Sequence, residues 1–371
     1  MANARDISFA SFNLQNLQLP GRAMYPRGKP YTPQQYATKL NWAAEALHRL
    51  DADVIAFQEL WAREALEELF AVAKLDDRYA LAFIKDGDWD GIAVAAAVRK
   101  PWTVLATTRH KAFPPGFRLR KGKRSMADIQ ANPPAADRAT EAEEEDEFLP
   151  SHEDDAIEVT IGEFSRSPLQ LTLGHGTARR PKPPEIEVFC CHLKSKLSTR
   201  LDDAEFQDRT IRPHAEALGA ALSSIRRVAE AAALRIILDR LTTGNDRPVA
   251  VVGDLNDGQF SNALGLLSGR AGFRLFAAHR AGRRADAGMY NALALQQLRS
   301  LGDVYYTHEF RNVREAIDHV LVSEQFYEFS GARLWAFRDM RFLNDHLDPA
   351  TPEATDHGLV RAAFDWLPAG A

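Results

Sequence analysis

The chain has 371 residues, 45% of them hydrophobic, with 46 Lys and Arg against 51 Asp and Glu for a formal charge of -5. That length and apolar content can bury a large core in one large domain or two smaller ones, as a soluble globular protein does. No run of about 18 apolar residues is present to span a membrane, and the net negative charge argues against indiscriminate coating of nucleic acid while leaving room for a local basic groove. Residues 1–7 are polar and lead straight into a strand pattern, with no signal-peptide core, so a cytoplasmic protein is expected. The two cysteines, Cys190 and Cys191, are adjacent. On a strand their side chains point to opposite faces, as core residues with no disulfide partner.

Residues 7–14 alternate apolar with small or polar side chains, as a half-buried strand does, and deliver Asn13 near the strand end. A proline- and glycine-rich loop follows over 19–33. Over 33–50, Tyr36, Leu40, Ala43, Leu47 and Leu50 keep helical spacing. Residues 53–59 form a second buried strand that ends in Glu59. Strand, loop, helix, strand is an α/β pattern. A helix over 62–73 and strands over 79–84 and 92–99 come next, the last two antiparallel because their connection is short, so the sheet is mixed.

Residues 109–155 read as a mobile or partly disordered charged insertion, basic over 109–124 and acidic over 141–147. Such runs are either solvated loops or interaction surfaces. Strands are expected over 157–161, 169–173 and 185–192, the last ending in His192-Leu193-Lys194-Ser195-Lys196. Helix dominates 203–241, with a kink or break at Pro213. Pro248-Val249-Ala250-Val251-Val252 reads as a buried strand that stops at Gly253-Asp254-Leu255-Asn256. Helices and loops fill 260–300, with an exposed turn over 282–288. Strands close the chain over 316–322 and from Thr355-Asp356-His357-Gly358 to Phe364. There is no internal repeat and no linker, which favours a single domain over 1–371.

Asp254 and Asn256 lie on one side of an extended chain, where the acid can take a proton and the amide can donate to an oxyanion. By itself the stretch reads equally well as a strand followed by an Asx turn. Asn13, Glu59, His192, Asp254, Asn256, Asp318, Asp356 and His357 all stand at the ends of apolar strands. They are hard oxygen ligands and imidazoles with no thiolate among them, which suits Mg²⁺, Mn²⁺ or Ca²⁺. Magnesium uses few protein ligands, so Glu59 and Asn13 with help from Asp356 could hold it.

Phe12-Asn13-Leu14, Gln58-Glu59, His192-Leu193-Lys194-Ser195-Lys196, Gly253-Asp254-Leu255-Asn256, Ile317-Asp318-His319-Val320 and Asp356-His357-Gly358 follow one another in an order and spacing that resembles the endonuclease/exonuclease/phosphatase superfamily. These are metal-dependent phosphoesterases that include pancreatic-type deoxyribonuclease. The resemblance spans nearly the whole chain; each motif is weak alone, and the ordered set is specific. It implies a four-layer α/β sandwich, two mixed sheets face to face with helices outside. It implies Glu59 as the main metal ligand with Asn13 beside it, Asp254 activating water and Asn256 holding phosphate. Asp318 would orient His357, and His192 would contact the phosphate or the leaving oxygen. Phe164-Ser165-Arg166-Ser167-Pro168 resembles an element of the deoxyribonuclease branch and makes Arg166 a candidate phosphate contact. Thr355 stands where relatives often have Ser, and His319 reads as structural.

The reaction expected is metal-assisted in-line attack of water on a phosphodiester. The favoured substrate is nucleic acid, DNA ahead of RNA, with residues 109–124, Lys194, Lys196 and Arg200 as backbone contacts. The alternatives are a phosphatase or phosphodiesterase for a small or lipid phosphoester and, in another class, a non-catalytic binding scaffold.

Overall fold

A computed structural model describes residues 4–84, 91–120, 158–176, 181–269, 271, 287–300, 302, 305–348 and 353–367. The first sheet joins β1 (Ile7–Leu17), β2 (Val54–Leu60), β3 (Tyr79–Phe83), β4 (Ala93–Arg99), β15 (Trp335–Leu343) and β16 (Leu359–Trp366) in the order β15-β16-β1-β2-β4-β3. The second joins β5 (Trp102–Arg109), β8 (Leu169–His175), β9 (Ile186–His192), β10 (Val249–Asp254), β11 (Tyr290–Asn291) and β14 (Asp318–Val322) in the order β11-β14-β10-β9-β8-β5. Both sheets are mixed, with β1 parallel to β2 and β9 parallel to β10 while the remaining pairs are antiparallel.

The central strands are buried on both faces, which is why they read as nearly continuous apolar runs. Ile7, Phe9, Val54 and Ala56 from one sheet share a core with Val188, Cys190, Ala250 and Val252 from the other. On the far side of the first sheet, Ala10, Phe12, Ile55 and Phe57 meet α1 (Pro33–Leu50) and α2 (Arg63–Val72). Helix α1 starts where Thr32 and Gln35 form a capping box ahead of Pro33, which satisfies backbone donors that the first turn leaves free. Beyond α3 (Asp203–Gln207), a turn at Arg212–His214 leads into α4 (Ala215–Thr242), so Pro213 divides the helical region as expected. Helix α5 (Asn262–Ser268) packs on α4, and α6 (Ala292–Arg299) completes the helices among the described residues. Layers of helix, sheet, sheet and helix make the α/β sandwich that the motifs implied.

The residues fall into two compact units, Met1–Pro114 with Glu163–Ala371, and Pro115–Gly162. In the second unit, β6 (Leu119–Arg120) pairs antiparallel with β7 (Glu158–Val159), shorter than the strand expected over 157–161. The rest of the expected insertion, 121–155, lies outside the described residues, as does most of the turn expected over 282–288. Several strands escaped the sequence reading. Strand β5 runs up to Arg109, where the insertion was expected to begin. Strands β12 (His308–Phe310) and β13 (Val313–Glu315) form a hairpin whose turn residues, Arg311 and Asn312, both have positive φ. Strand β15 is rich in charge and bulged near Phe337 and Asp339, which breaks the alternation that marks a strand.

Candidate active site

Three neighbouring strands of the second sheet end at one level. Asp254 of β10 stands opposite His192 of β9 on one side and Asp318 of β14 on the other. The strands approach closely here: a Cβ on Gly253 would lie 2.0 Å from the carbonyl oxygen of Cys191. Glycine at 253 is therefore a condition for bringing Asp254 beside His192. From the facing sheet, β1 brings Ser11 and Asn13 to the same edge. Ser11 Oγ donates to Asp318 Oδ1 at 3.4 Å, and Asn13 Nδ2 donates to Asp254 Oδ2 at 3.1 Å.

His357 completes the cluster. Its Nδ1 donates to Asp318 Oδ2 at 2.8 Å, and its Nε2 lies 3.8 Å from Asp254 Oδ2. Burial works against the charge of His357, but the carboxylates of Asp318 and Asp254 outweigh it and hold the imidazole protonated up to about 10. Burial pushes the Asp254 carboxyl up to about 7, the His357 charge pulls it down, and Asp318 raises it further. His192 is the opposite case. Burial first, then the charges of Arg166 and His357, hold its pKa well below the ordinary histidine value. Its 3.5 Å approach to Asp254 is thus a contact of a neutral ring, not an ion pair. Its Nδ1 is buried with no hydrogen-bond partner among the described residues.

The other expected groups border this cluster. Asn256 adopts a left-handed conformation (φ 55°) that lets its backbone N–H donate to Asp254 Oδ1 at 2.8 Å. Its Nδ2 donates to the Leu193 carbonyl at 3.0 Å, and the same oxygen accepts from Arg166 Nη1 at 3.2 Å. The two candidate phosphate contacts therefore share one anchor, and Arg166 Nε is buried without a partner among the described residues. His319 is buried, with Nδ1 against Asn291 and Nε2 against the Asp257 carbonyl. That agrees with its structural reading.

Glu59 sits where β1 and β2 are both irregular. The ladder shifts between Asn13 and Leu17 and between Phe57 and Leu60, and Gln15, Asn16 and Glu59 all have positive φ. Bulges of this kind re-aim side chains at sheet ends. The Glu59 carboxylate makes no hydrogen bond or ion pair among the described residues, and neither does the exposed Asp356. Both act on one buried cation, Lys39, which is 5% exposed. Burial lowers Lys39 to about 8 against the attraction of Asp356 and Glu59. Asn13 Oδ1 accepts from Gln15 N at 2.9 Å and keeps a second lone pair.

Two oxygen-donor sets therefore exist. Asp254, Asp318 and His357 lie close enough to one another to hold a cation, but a protonated His357 bonded to Asp318 is not a metal ligand. Glu59 and Asp356 offer carboxylates with no partner among the described residues, and Asn13 Oδ1 keeps a lone pair beside its bond from Gln15 N. Their chemistry fits a divalent ion of the Mg²⁺ type.

Sequence reasoning missed the supports of this site. On α4, Glu230 is fully buried and accepts from Ser165 N at 2.7 Å and Lys194 N at 2.8 Å, tying together the chain segments that carry Arg166 and His192. One helical turn earlier, Arg227 donates to the Lys194 carbonyl at 3.2 Å and to Asp257 Oδ2 at 3.1 Å. His308 also escaped notice; its ring centre is 5.2 Å from that of His357. Lys39 carried a signal, since its spacing from Tyr36 and Ala43 puts a charge on the apolar face of α1.

Residues 164–357 match the model of the endonuclease/exonuclease/phosphatase family. A search of curated proteins gives no match. Among solved structures, an endonuclease/exonuclease/phosphatase from Bacteroides vulgatus is 16% identical, with 98% of this chain and 99% of that chain covered at a TM-score of 0.50. A humanized D. rerio TDP2 carrying 14 mutations is 14% identical, with 97% and 99% covered at a TM-score of 0.51. At such identities these structures speak to the fold alone. The family match covers more than half the chain and ends at His357, and with it this chain belongs to the endonuclease/exonuclease/phosphatase family of phosphoester hydrolases.

Proposed function

We propose that the chain hydrolyses phosphodiester bonds of nucleic acid, DNA ahead of RNA, with the help of a divalent cation. The observation that carries the reading is the placement of Asp254: a buried carboxylate between two imidazoles, one protonated and one neutral, with an amide donor on the same oxygen. A carboxylate pushed up to about 7 is matched to taking a proton from water near neutral pH. The His357 imidazolium, oriented by Asp318, supplies positive charge where nonbridging oxygens gain negative charge. Arg166 and the second N–H of Asn256, which share the Leu193 carbonyl as anchor, would bind the same phosphate. Neutral His192 can donate to the phosphate or to the leaving oxygen.

Glu59 would be the main ligand of the cation, with Asn13 and Asp356 beside it. When bound, the ion supplies charge stabilisation to the phosphoryl oxygens. Water provides the entering oxygen and loses its proton to Asp254; the phosphorus–oxygen bond to the leaving alcohol breaks, and that oxygen takes up a proton.

The test is incubation of purified protein with Mg²⁺ or Mn²⁺ and, separately, plasmid, single-stranded DNA, RNA and a small phosphodiester, with Asp254→Ala as control. Metal-dependent cutting of nucleic acid that the control lacks is the expected outcome. Turnover confined to the small ester would overturn the nuclease reading in favour of a small-molecule or lipid phosphoesterase, and inactivity towards every ester would favour a binding scaffold.

A further inference from the structure

Of the cations that the sequence offered for nucleic-acid contact, Lys194, Lys196 and Arg200 are engaged within the protein. Lys196 pairs with Glu315 and Asp257, Arg200 with Asp203, and Lys194 Nζ donates to the carbonyls of Ser195 and Leu197. Helix α4 is no freer, since Arg226 pairs with Glu230 and Arg227 with Asp257.

The loop between β1 and α1 is different. Residues 17–32 contain Arg22, Arg27 and Lys29 and no acidic residue, a local charge of +3 on a chain of net charge -5. All three side chains are exposed, and none makes an ion pair or side-chain hydrogen bond among the described residues. The loop is nonetheless well tied. Gly21 N donates to the Tyr31 carbonyl at 3.0 Å, Gly28 N to the Tyr25 carbonyl at 3.0 Å, and Tyr31 Oη to the Gln15 carbonyl at 3.3 Å. Some arginines elsewhere on this surface find acidic partners, as Arg49 does with Asp345 and Arg311 with Glu216. What sets this loop apart is that three unpaired cations stand together on one ordered, acid-free segment.

An aromatic ring stands among them. Tyr25 is 49% exposed, its Oη donates to Asn16 Oδ1 at 2.9 Å, and its ring meets Trp61 edge-on at 5.0 Å between centres. Trp61 Nε1 donates to the same Asn16 oxygen at 2.9 Å, so a single amide fixes both rings. Asn16 lies three residues beyond Asn13, and Trp61 two beyond Glu59. Asn16 and Trp61 thus hold the Tyr25 ring next to the irregular strand ends that carry Asn13 and Glu59, and the charges of Glu59 and Arg166 both act on it.

We propose that the 17–32 loop is the strand-gripping element of this enzyme: the fixed ring of Tyr25 stacks on a nucleobase beside the scissile phosphodiester, while Arg22, Arg27 and Lys29 neutralise backbone phosphates on that side. The chemistry recognised is a polyanion carrying flat rings, met by a preset aromatic face and mobile cations. A small phosphoester or a double-tailed lipid headgroup offers no such combination. The proposal rests on the nuclease reading and adds which surface selects a strand over a small ester.

The experiment uses Asp254→Ala protein with Mg²⁺, which keeps a labelled 12-nucleotide single strand uncut, and follows binding by fluorescence anisotropy from low to moderate salt. Adding Arg22→Gln, Arg27→Gln and Lys29→Gln should reduce the slope of log affinity against log salt by about 2, since each lost phosphate contact on a single strand removes about 0.7. Adding Tyr25→Ala should weaken binding about 5- to 100-fold, and Tyr25→Phe should restore most of it, because the ring and not the hydroxyl stacks. In otherwise native protein, the triple change should lower kcat/KM on the oligonucleotide at least tenfold more than on a small phosphodiester. An unchanged salt slope, equal losses from Tyr25→Ala and Tyr25→Phe, or binding of anionic vesicles in preference to the oligonucleotide would overturn the proposal. The underlying nuclease reading fails separately, if native protein turns over the small ester and leaves every nucleic acid intact.

Discussion

Asp318 and His357 meet through a 2.8 Å hydrogen bond between Oδ2 and Nδ1, both residues buried, with Nε2 of the same ring turned towards Asp254. The pair fixes which end of the imidazole carries its proton towards the site. In the proposed reaction Asp254 must be ionised and His357 protonated. The rate should rise with pH through about 7 and fall through about 10, giving a bell-shaped profile of kcat/KM. Asp318→Asn removes the larger carboxylate influence on His357, so the alkaline limb should move down by about one to two units. An alkaline limb that stays in place would mean that His357 is not the titrating acid.

The same pair has a consequence for stability. The folded-state value of His357 is raised above its ordinary 6.5. Its contribution is therefore complete below about 6.5 and is lost as the pH climbs through about 10. Thermal denaturation of native protein and His357→Gln should differ most at pH 6 and converge by pH 10 to 11. A gap that does not narrow would contradict the charge assignment.

Gly253→Ala tests the close approach of β9 and β10. The new methyl carbon would lie 2.0 Å from the Cys191 carbonyl oxygen, a backbone atom that cannot rotate away. Separating the strands also pulls Asp254 from His192. We expect a loss of about 3 kcal/mol or more in urea denaturation, beyond the range of ordinary overpacking, together with lost turnover. A variant as stable as the parent would show that the strands can part without strain.

Glu230 acts at a distance from the reacting phosphate. Glu230→Ala would leave the backbone N–H groups of Ser165 and Lys194 buried and unpaired, at about 1–3 kcal/mol each. Stability should fall accordingly, and Glu230→Gln, which keeps one acceptor, should recover about half. Loosening the segments that carry Arg166 and His192 should raise KM for the phosphodiester more than it lowers kcat. A purely structural glutamate would leave that ratio unmoved.

Much of this site is legible in the sequence because His192 and Asp254 end apolar strands, Asp318 begins one, and Asn13 and Glu59 sit beside the irregular ends of two others, all local features. The bulges that turn Gln15, Asn16 and Glu59 into left-handed conformations are not legible, since no glycine marks them and the strain is carried by pairing with neighbouring strands. The roles of Arg227 and Glu230 were hidden for another reason. They are ordinary charged residues of a long helix until folding brings them against chain segments about 30 to 65 residues away. Strand β15 was missed because Arg338, Asp339 and Arg341 break its apolar alternation, although Arg338 is satisfied by Asp6 and Asp365. The role proposed for the 17–32 loop rests partly on what its cations lack, and a sequence does not show which charges will find partners.

Metal binding can be read without turnover. Native protein should gain thermal stability with rising Mg²⁺ or Mn²⁺, by about 1–3 kcal/mol at saturating ion, because the folded state alone assembles the ligands. Glu59→Gln should abolish that gain. Persistence of the full effect would move the ion to the Asp254, Asp318 and His357 cluster, and His357→Gln would then remove it.

The central claim, that Asp254 handles the attacking water, is tested most directly by single-turnover cleavage of a labelled oligonucleotide by native protein and Asp254→Asn at saturating Mg²⁺ and enzyme. The expected result is a loss of at least about 10³-fold in the cleavage rate, within the span that a general base contributes, with oligonucleotide affinity kept within a few fold. Cleavage by Asp254→Asn within tenfold of native would contradict it.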